Sequence, residues 1–254
     1  MRVIGLIPWF DERPDWLAAS IASMGRFCDH IVAADGAYQL YPGGKARSSA
    51  DEVAAVVSTT LGAGMGLTLI VPRERWVNNE IAKRNALLEA ADAIAEPGDW
   101  YFWLDADMVV LEVPGDLSAR LAESKLFVGH ATLWTSVHEN EDINDGAGWH
   151  EFDRKHPLFV RAGLGIRVHW NHWTWIGVDP DTRLEVVVRG NQHEYQLTPP
   201  LDLTDVLVEH RSRSRHKDRA LTARKYYEIR DLSGAEKSRQ VYMETETGDI
   251  KGVA

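Results

Sequence analysis

The sequence predicts an α/β fold, with a mostly parallel central sheet flanked by helices and an antiparallel α+β elaboration in the second half. In the first hundred residues, short apolar runs alternate with longer stretches whose apolar residues recur at helical spacing. This alternation is typical of strand–helix–strand units with right-handed crossovers. Beyond residue 110, most apolar runs are short and separated by turn residues, which indicates antiparallel strands.

The first half divides into four strands and three helices. The apolar runs predict strands over residues 3–7, 30–34, 67–71 and 100–105, and helical spacing predicts helices over residues 15–24, 50–61 and 78–95. In the second helix the spacing turns Val53, Val56, Val57 and Leu61 inward. No Gly-x-Gly-x-x-Gly follows the first strand, so a classical dinucleotide site is not expected.

The second half is predicted to contain more strand than helix. Its strands are expected over residues 125–136, 158–161, 166–170, 184–189 and 204–210, and its helices over residues 116–124 and 217–232. Residues 233–254 are expected to form a polar C-terminal tail. Because neither an internal repeat nor a linker interrupts the pattern, residues 1–232 are expected to form one domain.

Composition narrows the range of partners and locations. The 254 residues are 44% hydrophobic and 26% charged, values that are typical of a soluble globular protein. A net charge of −10 makes duplex nucleic acid and anionic membranes unfavourable partners. No apolar run is long enough to span a membrane, and the first residues have the pattern of a strand rather than a signal peptide. The single cysteine, Cys28, excludes an intrachain disulfide and fits the cytoplasm.

A candidate site follows the fourth predicted strand, Trp100-Tyr-Phe-Trp-Leu-Asp105-Ala-Asp107. In parallel sheets, ligands bind outside the carboxyl ends of the strands. Asp105 and Asp107 could share a divalent cation, or one could bind the metal while the other binds a ribose or a water. Mg²⁺ and Mn²⁺ suit such oxygen ligands. The alternative is that the acidic pair only caps the following turn.

Two further groups of polar residues have both a structural and a functional interpretation. Arg84 and Asn85 lie on or beside the inward stripe of the third helix, where polar groups need partners. Arg84 could pair with a carboxylate for structure alone, or it could order the site acids or contact the substrate. The basic run from Arg211 to Arg219 could bind phosphate, or it could be a solvated helix start.

The order of these features resembles the GT-A fold of nucleotide-sugar glycosyltransferases, and in particular its family-2-like members. The segment Ile7-Pro-Trp-Phe-Asp-Glu12 resembles the opening that grips the nucleoside, and Asp35-Gly-Ala37 resembles the acidic turn that contacts base or ribose. Lys83-Arg-Asn85 resembles the Arg-Asn of the helix that leads to the metal motif. Asp105-Ala-Asp107 matches the Asp-x-Asp motif itself, and His210 is similar to the histidine that completes the metal site. The match covers roughly residues 3–110 and 205–230.

The resemblance implies a metal-dependent transfer from a nucleoside-diphosphate sugar, most commonly UDP-linked, to an acceptor that the sequence does not identify. Residues 1–110 would be the nucleotide-binding half and residues 111–232 the acceptor-side half. The implied ligands of Mn²⁺ or Mg²⁺ are Asp105, Asp107 and His210. The implied donor contacts are Pro8, Trp9, Phe10, Glu12, Asp35, Lys83, Arg84, Asp105, Arg211, Arg213, Arg215 and Lys217.

An inverting transferase also needs a general base for the acceptor hydroxyl. The acidic stretch between the strands of the second half supplies the candidates, of which Asp142, Glu151 and Asp153 are chosen over Glu139, Glu141 and Asp145. A retaining enzyme would not need this base in the same role. The sequence leaves the stereochemistry open.

Two other functions are compatible with parts of the sequence. Asp105-Ala-Asp107-Met-Val109 also fits the first motif of haloacid-dehalogenase-like phosphohydrolases, although that motif usually lies near the start of the fold. A nucleotide- or carbohydrate-binding module without catalysis is the non-enzymatic alternative. Trp173 and Trp175 could bind a sugar ring in either case, but their alternation equally predicts one face of a hairpin packed into the core.

Overall fold

The computed structural model describes residues 1–77, 79–135, 154–169, 174–189, 198–211, 241–244 and 250–253. Several predictions concern residues outside these ranges and stay predictions. They are the general-base candidates, the helix over residues 217–232, Trp173, Arg213, Arg215 and Lys217.

The first half has the predicted alternation of strands and helices. Its elements are β1 (Val3–Pro8), α1 (Pro14–Met24), β2 (His30–Ala34), α2 (Ala50–Gly62), β3 (Gly66–Ile70), α3 (Asn79–Asp92) and β4 (Trp100–Trp103). The four strands are parallel and lie in the order β3-β2-β1-β4. Pro8 pairs with Ala34, and Leu6 pairs with Trp103. The carboxyl ends of these strands therefore meet at one edge of the sheet.

The second half extends this sheet with mostly antiparallel strands. Its elements are β5 (Met108–Glu112), α4 (Leu117–Glu123), β6 (Val128–Thr135), β7 (Arg154–Arg161), β8 (Arg167–His169), β9 (Thr174–Val178), β10 (Glu185–Arg189), β11 (Pro200–His210), β12 (Val241–Glu244) and β13 (Ile250–Val253). The eight-stranded sheet continues β4-β7-β6-β11-β5, with only β6 and β11 parallel. Strands β8, β9 and β10 form a separate antiparallel sheet, and β12 pairs with β13. The predicted α/β fold class is thus confirmed.

The core lies on both faces of the large sheet. Along β4, Trp100 and Phe102 pack with α1, α2 and α4, whereas Tyr101 and Trp103 pack with α3 and the three-stranded sheet. Alternate residues of a strand point to opposite faces, so a strand buried on both faces must be apolar throughout. This explains the unbroken apolar run in front of Asp105. No helix in the described ranges is long and apolar enough to cross a membrane.

The orientation of α2 differs from the prediction. Val56 is buried, but Leu61 is 59% exposed, and the buried face of the helix includes Glu52 and Thr60. Glu52 accepts hydrogen bonds from the backbone N–H of Glu12 and, at the helix start, from that of Ser49. These partners satisfy a polar side chain at a buried position, so apolar spacing alone gave the wrong face at Leu61.

Candidate active site

Three chain segments leave the sheet side by side at the carboxyl ends of β1, β2 and β4. The backbone N–H of Trp9 donates to Ala34 at 2.9 Å, and that of Leu104 donates to Leu6 at 3.0 Å. Asp35 continues β2 in the same way, since its N–H donates to Ile70 of β3 at 3.0 Å. The predicted site residues that follow β1, β2 and β4 therefore lie at a common edge, which is where ligands bind in parallel sheets.

Asp107 and His210 form the central pair of this edge. The Oδ2 atom of Asp107 lies 3.1 Å from Nε2 of His210, although 103 residues separate them in the chain. Strand β11 places His210 beside Asp107, because His210 pairs with Met108 in the antiparallel ladder between β11 and β5. The N–H of Arg211 also donates to the carbonyl of Asp107 at 2.7 Å. Both the backbone and the side chain of Asp107, which is 5% exposed, are thus held against the end of β11.

Helix α1 holds the turn that carries Asp107. The hydroxyl of Ser20 lies 2.9 Å from the carbonyl oxygen of Ala106 and 2.6 Å from that of Met108, on either side of Asp107. One turn on, Ser23 accepts a hydrogen bond from the N–H of Val110 at 3.0 Å. These buried hydroxyls restrict how the turn between β4 and β5 can move.

Asp105 has a different environment from Asp107. Its Oδ1 atom accepts a hydrogen bond from Nε1 of Trp103 at 3.0 Å and lies 3.5 Å from Nη2 of Arg84. The Asp105 side chain is 32% exposed, whereas Arg84 is buried, with Glu80 3.8 Å from its Nε. Arg84 therefore approaches carboxylates from the buried face of α3, as the structural interpretation expects, and its role toward a substrate stays a prediction. Its neighbour Asn85 binds the backbone of β8 at Val168.

The residues predicted to contact the nucleoside are buried at the same edge. Asp35 accepts hydrogen bonds from the N–H of Ser48 at 3.0 and 3.2 Å, and Nε1 of Trp76 donates to its carbonyl at 2.7 Å. Phe10 packs edge-on against Tyr41, with 5.2 Å between the ring centroids. The remaining members of this group, Pro8, Trp9 and Glu12, are also buried. Their contacts with a donor stay predictions.

Lys83 joins the turns that follow β1 and β2. The residue is 1% exposed, and its Nζ donates to the carbonyl of Trp9 and, at 2.8 Å, to that of Gly36. It also lies 5.2 Å from the ring centroid of Tyr38. These contacts give Lys83 a structural part in shaping the edge, and the predicted contact with the donor is not tested. Arg211, the described member of the basic run, donates from Nε to Glu209 at 2.7 Å.

The chemistry of Asp107 and His210 fits a divalent cation. Their facing atoms are 3.1 Å apart, within hydrogen-bond distance of each other, and a carboxylate oxygen and an imidazole nitrogen are both ligands that divalent cations take. Within the described ranges, no group of three or more His, Cys, Asp or Glu side chains is arranged to bind a metal ion. A cation here would take its other ligands from substrate phosphates and water, which is how Mg²⁺ is usually bound.

Sequence reasoning did not identify Trp103 and Ser20 as parts of the site. The sequence contains one indication for Trp103, because a buried indole N–H requires an acceptor and Asp105 follows two residues later. It contains none for Ser20, because the partners of Ser20 are backbone carbonyls.

Comparison with known proteins adds little to this geometry. No family model matches the chain, and no curated protein matches it. Among solved structures, the chain is similar to a Bacillus anthracis protein assigned as a glucose-1-phosphate thymidylyltransferase and crystallised in complex with a sucrose. That similarity has a TM-score of 0.35 and 10% sequence identity, and it covers 63% of this chain and 69% of the other. Because neither value is high enough to transfer a fold family or an activity, the functional proposal rests on the residues of the site.

Proposed function

We propose that this protein is a glycosyltransferase that transfers a sugar from a nucleoside-diphosphate sugar, with UDP the first candidate, to an acceptor still to be identified. The observation that supports it is the contact of Asp107 with His210, at 3.1 Å, close in the chain to Asp105 and at the edge where the carboxyl ends of β1, β2 and β4 meet. His210 is held by the pairing of β11 with β5, and the turn that carries Asp107 is held by Ser20 of α1. Such preorganisation is what a site for a charged ligand requires.

In this proposal Asp107 and His210 hold Mn²⁺ or Mg²⁺, with Asp105 beside them. When bound, the cation neutralises negative charge that develops on the departing nucleoside diphosphate. Arg84 contributes a buried positive charge next to Asp105, at 3.5 Å. Arg211 and the following Arg213, Arg215 and Lys217 are proposed to bind the diphosphate, since guanidinium groups match phosphate oxygens.

The turns after β1 and β2 are proposed to bind the nucleoside. Lys83 ties the carbonyl groups of Trp9 and Gly36 together, so the two turns form one rigid wall of the site. Asp142, Glu151 and Asp153 remain the proposed general bases for an inverting reaction. The expected cytoplasmic location belongs to the same proposal.

Thermal unfolding with nucleoside diphosphates tests the proposal. The purified protein is unfolded with UDP, GDP, dTDP and CDP, each with and without Mn²⁺. A ligand at a hundredfold excess over its dissociation constant stabilises the folded state by about 2.7 kcal/mol, which raises the midpoint of a domain of this size by about 5–10 °C. We expect this rise with one nucleotide, only with the metal, and not in Asp107→Asn.

Asp181→Asn is the matched control, because Asp181 is an exposed aspartate between β9 and β10 of the three-stranded sheet. This variant should respond as the wild type does. If no nucleotide shifts the midpoint, but Mg²⁺ with a phosphate mimic such as beryllium fluoride does, the transferase proposal is wrong and the phosphohydrolase is favoured.

A further inference from the structure

The indole of Trp103 donates its hydrogen bond to a carboxylate of the site. Trp103 is the last residue of β4 and is buried, and its Nε1 lies 3.0 Å from Oδ1 of Asp105. A buried indole N–H nearly always finds an acceptor. Here the acceptor is the first acid of the Asp-x-Asp motif, and a bond to a charged acceptor is stronger than a neutral one.

Neighbours on two sides hold the Trp103 ring in place. The guanidinium carbon of Arg84 lies 4.8 Å from the ring centroid. The ring of Trp175, from β9 of the three-stranded sheet, meets it edge-on with centroids 4.7 Å apart and planes at 72°. Aromatic pairs and cation–π contacts of this geometry are favourable. The ring can therefore turn only by breaking contacts with both α3 and the second sheet.

The two oxygens of Asp105 are used differently. Oδ1 faces both Trp103 at 3.0 Å and Arg84 at 3.5 Å. Among the residues that the structure describes, none donates a hydrogen bond to Oδ2, and the side chain is 32% exposed. Oδ1 is thus held by two neighbours, while Oδ2 has no donor among the described residues and belongs to a partly exposed side chain.

We propose that Trp103 is a positioning residue, which fixes the Asp105 carboxylate through Oδ1 so that Oδ2 is presented to the nucleotide-sugar donor or its cation. This inference rests on the proposed function. Trp103 itself does not touch the ligand. It acts by orienting the Asp105 carboxylate, and its own ring is held by packing against Trp175 of the three-stranded sheet.

The test compares Trp103→Phe with Trp100→Phe. Trp100 is a matched control, because it is buried in the same strand and its Nε1 donates to the carbonyl of Leu121 at 3.1 Å, away from Asp105. Binding of UDP, or of whichever nucleoside diphosphate stabilises the wild type, is measured with Mn²⁺ by calorimetric titration. We expect Trp103→Phe to bind about tenfold more weakly, a change of about 1.4 kcal/mol, and Trp100→Phe to change less than twofold.

Steady-state turnover of the donor provides a second readout. A residue that positions a binding carboxylate should raise KM about tenfold and leave kcat within about threefold, a division that general destabilisation does not produce. In an Asp105→Ala background, which removes the acceptor of the Trp103 hydrogen bond, Trp103→Phe should have no further effect on affinity. If either Phe variant fails to fold, β-(3-benzothienyl)alanine replaces the tryptophan, since it keeps the bicyclic ring and exchanges the N–H for sulfur.

The possible failures are distinguishable. Equal affinities of Trp103→Phe and Trp100→Phe, in a wild type that binds the nucleotide, would overturn the positioning role and leave the proposed function standing. An additive effect of Trp103→Phe in the Asp105→Ala background would also overturn it. If the wild type binds no nucleoside diphosphate with or without metal, the proposed function is refuted, and the positioning role with it.

Discussion

Replacement of Lys83 by methionine tests whether a buried ammonium group holds the nucleoside side of the site together. The Nζ atom donates to the carbonyl groups of Trp9 and Gly36, and the residue is 1% exposed. Methionine has a similar length and no charge. The substitution therefore removes the donor while it retains most of the apolar volume of the side chain.

The expected loss follows from these contacts. Each carbonyl that loses a buried donor costs about 1–3 kcal/mol, and the absence of a buried charge offsets part of the sum. A net loss of about 2–4 kcal/mol in the free energy of unfolding remains, which lowers the midpoint of a domain of this size by about 5–15 °C. Nucleotide affinity should fall as well, because the turns after β1 and β2 are no longer joined.

Urea or thermal unfolding of Lys83→Met measures the loss, and Lys125→Met is its control. Lys125 is exposed at the surface between α4 and β6, so its replacement should change the free energy of unfolding by less than about 0.5 kcal/mol. If Lys83→Met is as stable as Lys125→Met, Lys83 does not hold the two turns together and the reasoning fails.

Two more predictions concern stability. Burial alone would raise the pKa of Asp99, but hydrogen bonds from the N–H groups of Glu96 and Arg2 and from the Arg2 guanidinium lower it below its usual value. A group with a lowered pKa stabilises the fold above its unfolded pKa and loses that contribution as pH falls. Asp99→Asn should therefore cost about 1–3 kcal/mol at pH 7, and its difference from wild type should shrink below about pH 4. Asp202 also has a lowered pKa, of about 2, chiefly because of the Thr204 hydroxyl, but it is present in both proteins and does not affect the difference between them. A stability difference between wild type and Asp99→Asn that does not change with pH would contradict the prediction. Gly36→Ala should destabilise by about 2–5 kcal/mol, because φ is +107° and an added Cβ would lie 2.5 Å from Cγ of Pro72. Gly43→Ala measures the cost of the backbone conformation alone, since its φ is +105° and no atom lies within 4 Å of the added Cβ. Equal losses of stability in the two variants would show that the contact with Pro72 costs nothing.

The strands and helices of the first half could be predicted because their sequence patterns are local. Apolar runs and helical spacing placed every element from β1 to β4 within a few residues of its observed bounds. The position of β5 could not be predicted in this way. Only four residues separate Trp103 from Met108, yet β4 and β5 are not neighbours in the sheet. Such an arrangement depends on the long-range pairing of β5 with β11, which leaves no periodic signal in the sequence.

The site shows the same division between local and distant information. Asp105 and Asp107 could be found from the strand that precedes them, but their different environments could not. Oδ1 of Asp105 is held by Trp103 and Arg84, while Asp107 contacts a histidine 103 residues away. The resemblance to glycosyltransferases suggested His210 by its order in the chain. The interactions of Lys83 with backbone carbonyls could not be predicted, because carbonyl acceptors are present at every residue.

The most direct test of the central claim is the release of a nucleoside diphosphate from its sugar conjugate. The protein is incubated with UDP-, GDP- and dTDP-sugars and Mn²⁺, without an acceptor, and the products are followed by ³¹P NMR. Slow hydrolysis of one donor to the nucleoside diphosphate and free sugar is expected, with dependence on metal and loss in Asp107→Asn but not in Asp181→Asn. Release of inorganic phosphate from phosphate monoesters, with every nucleotide sugar left intact, would contradict the account.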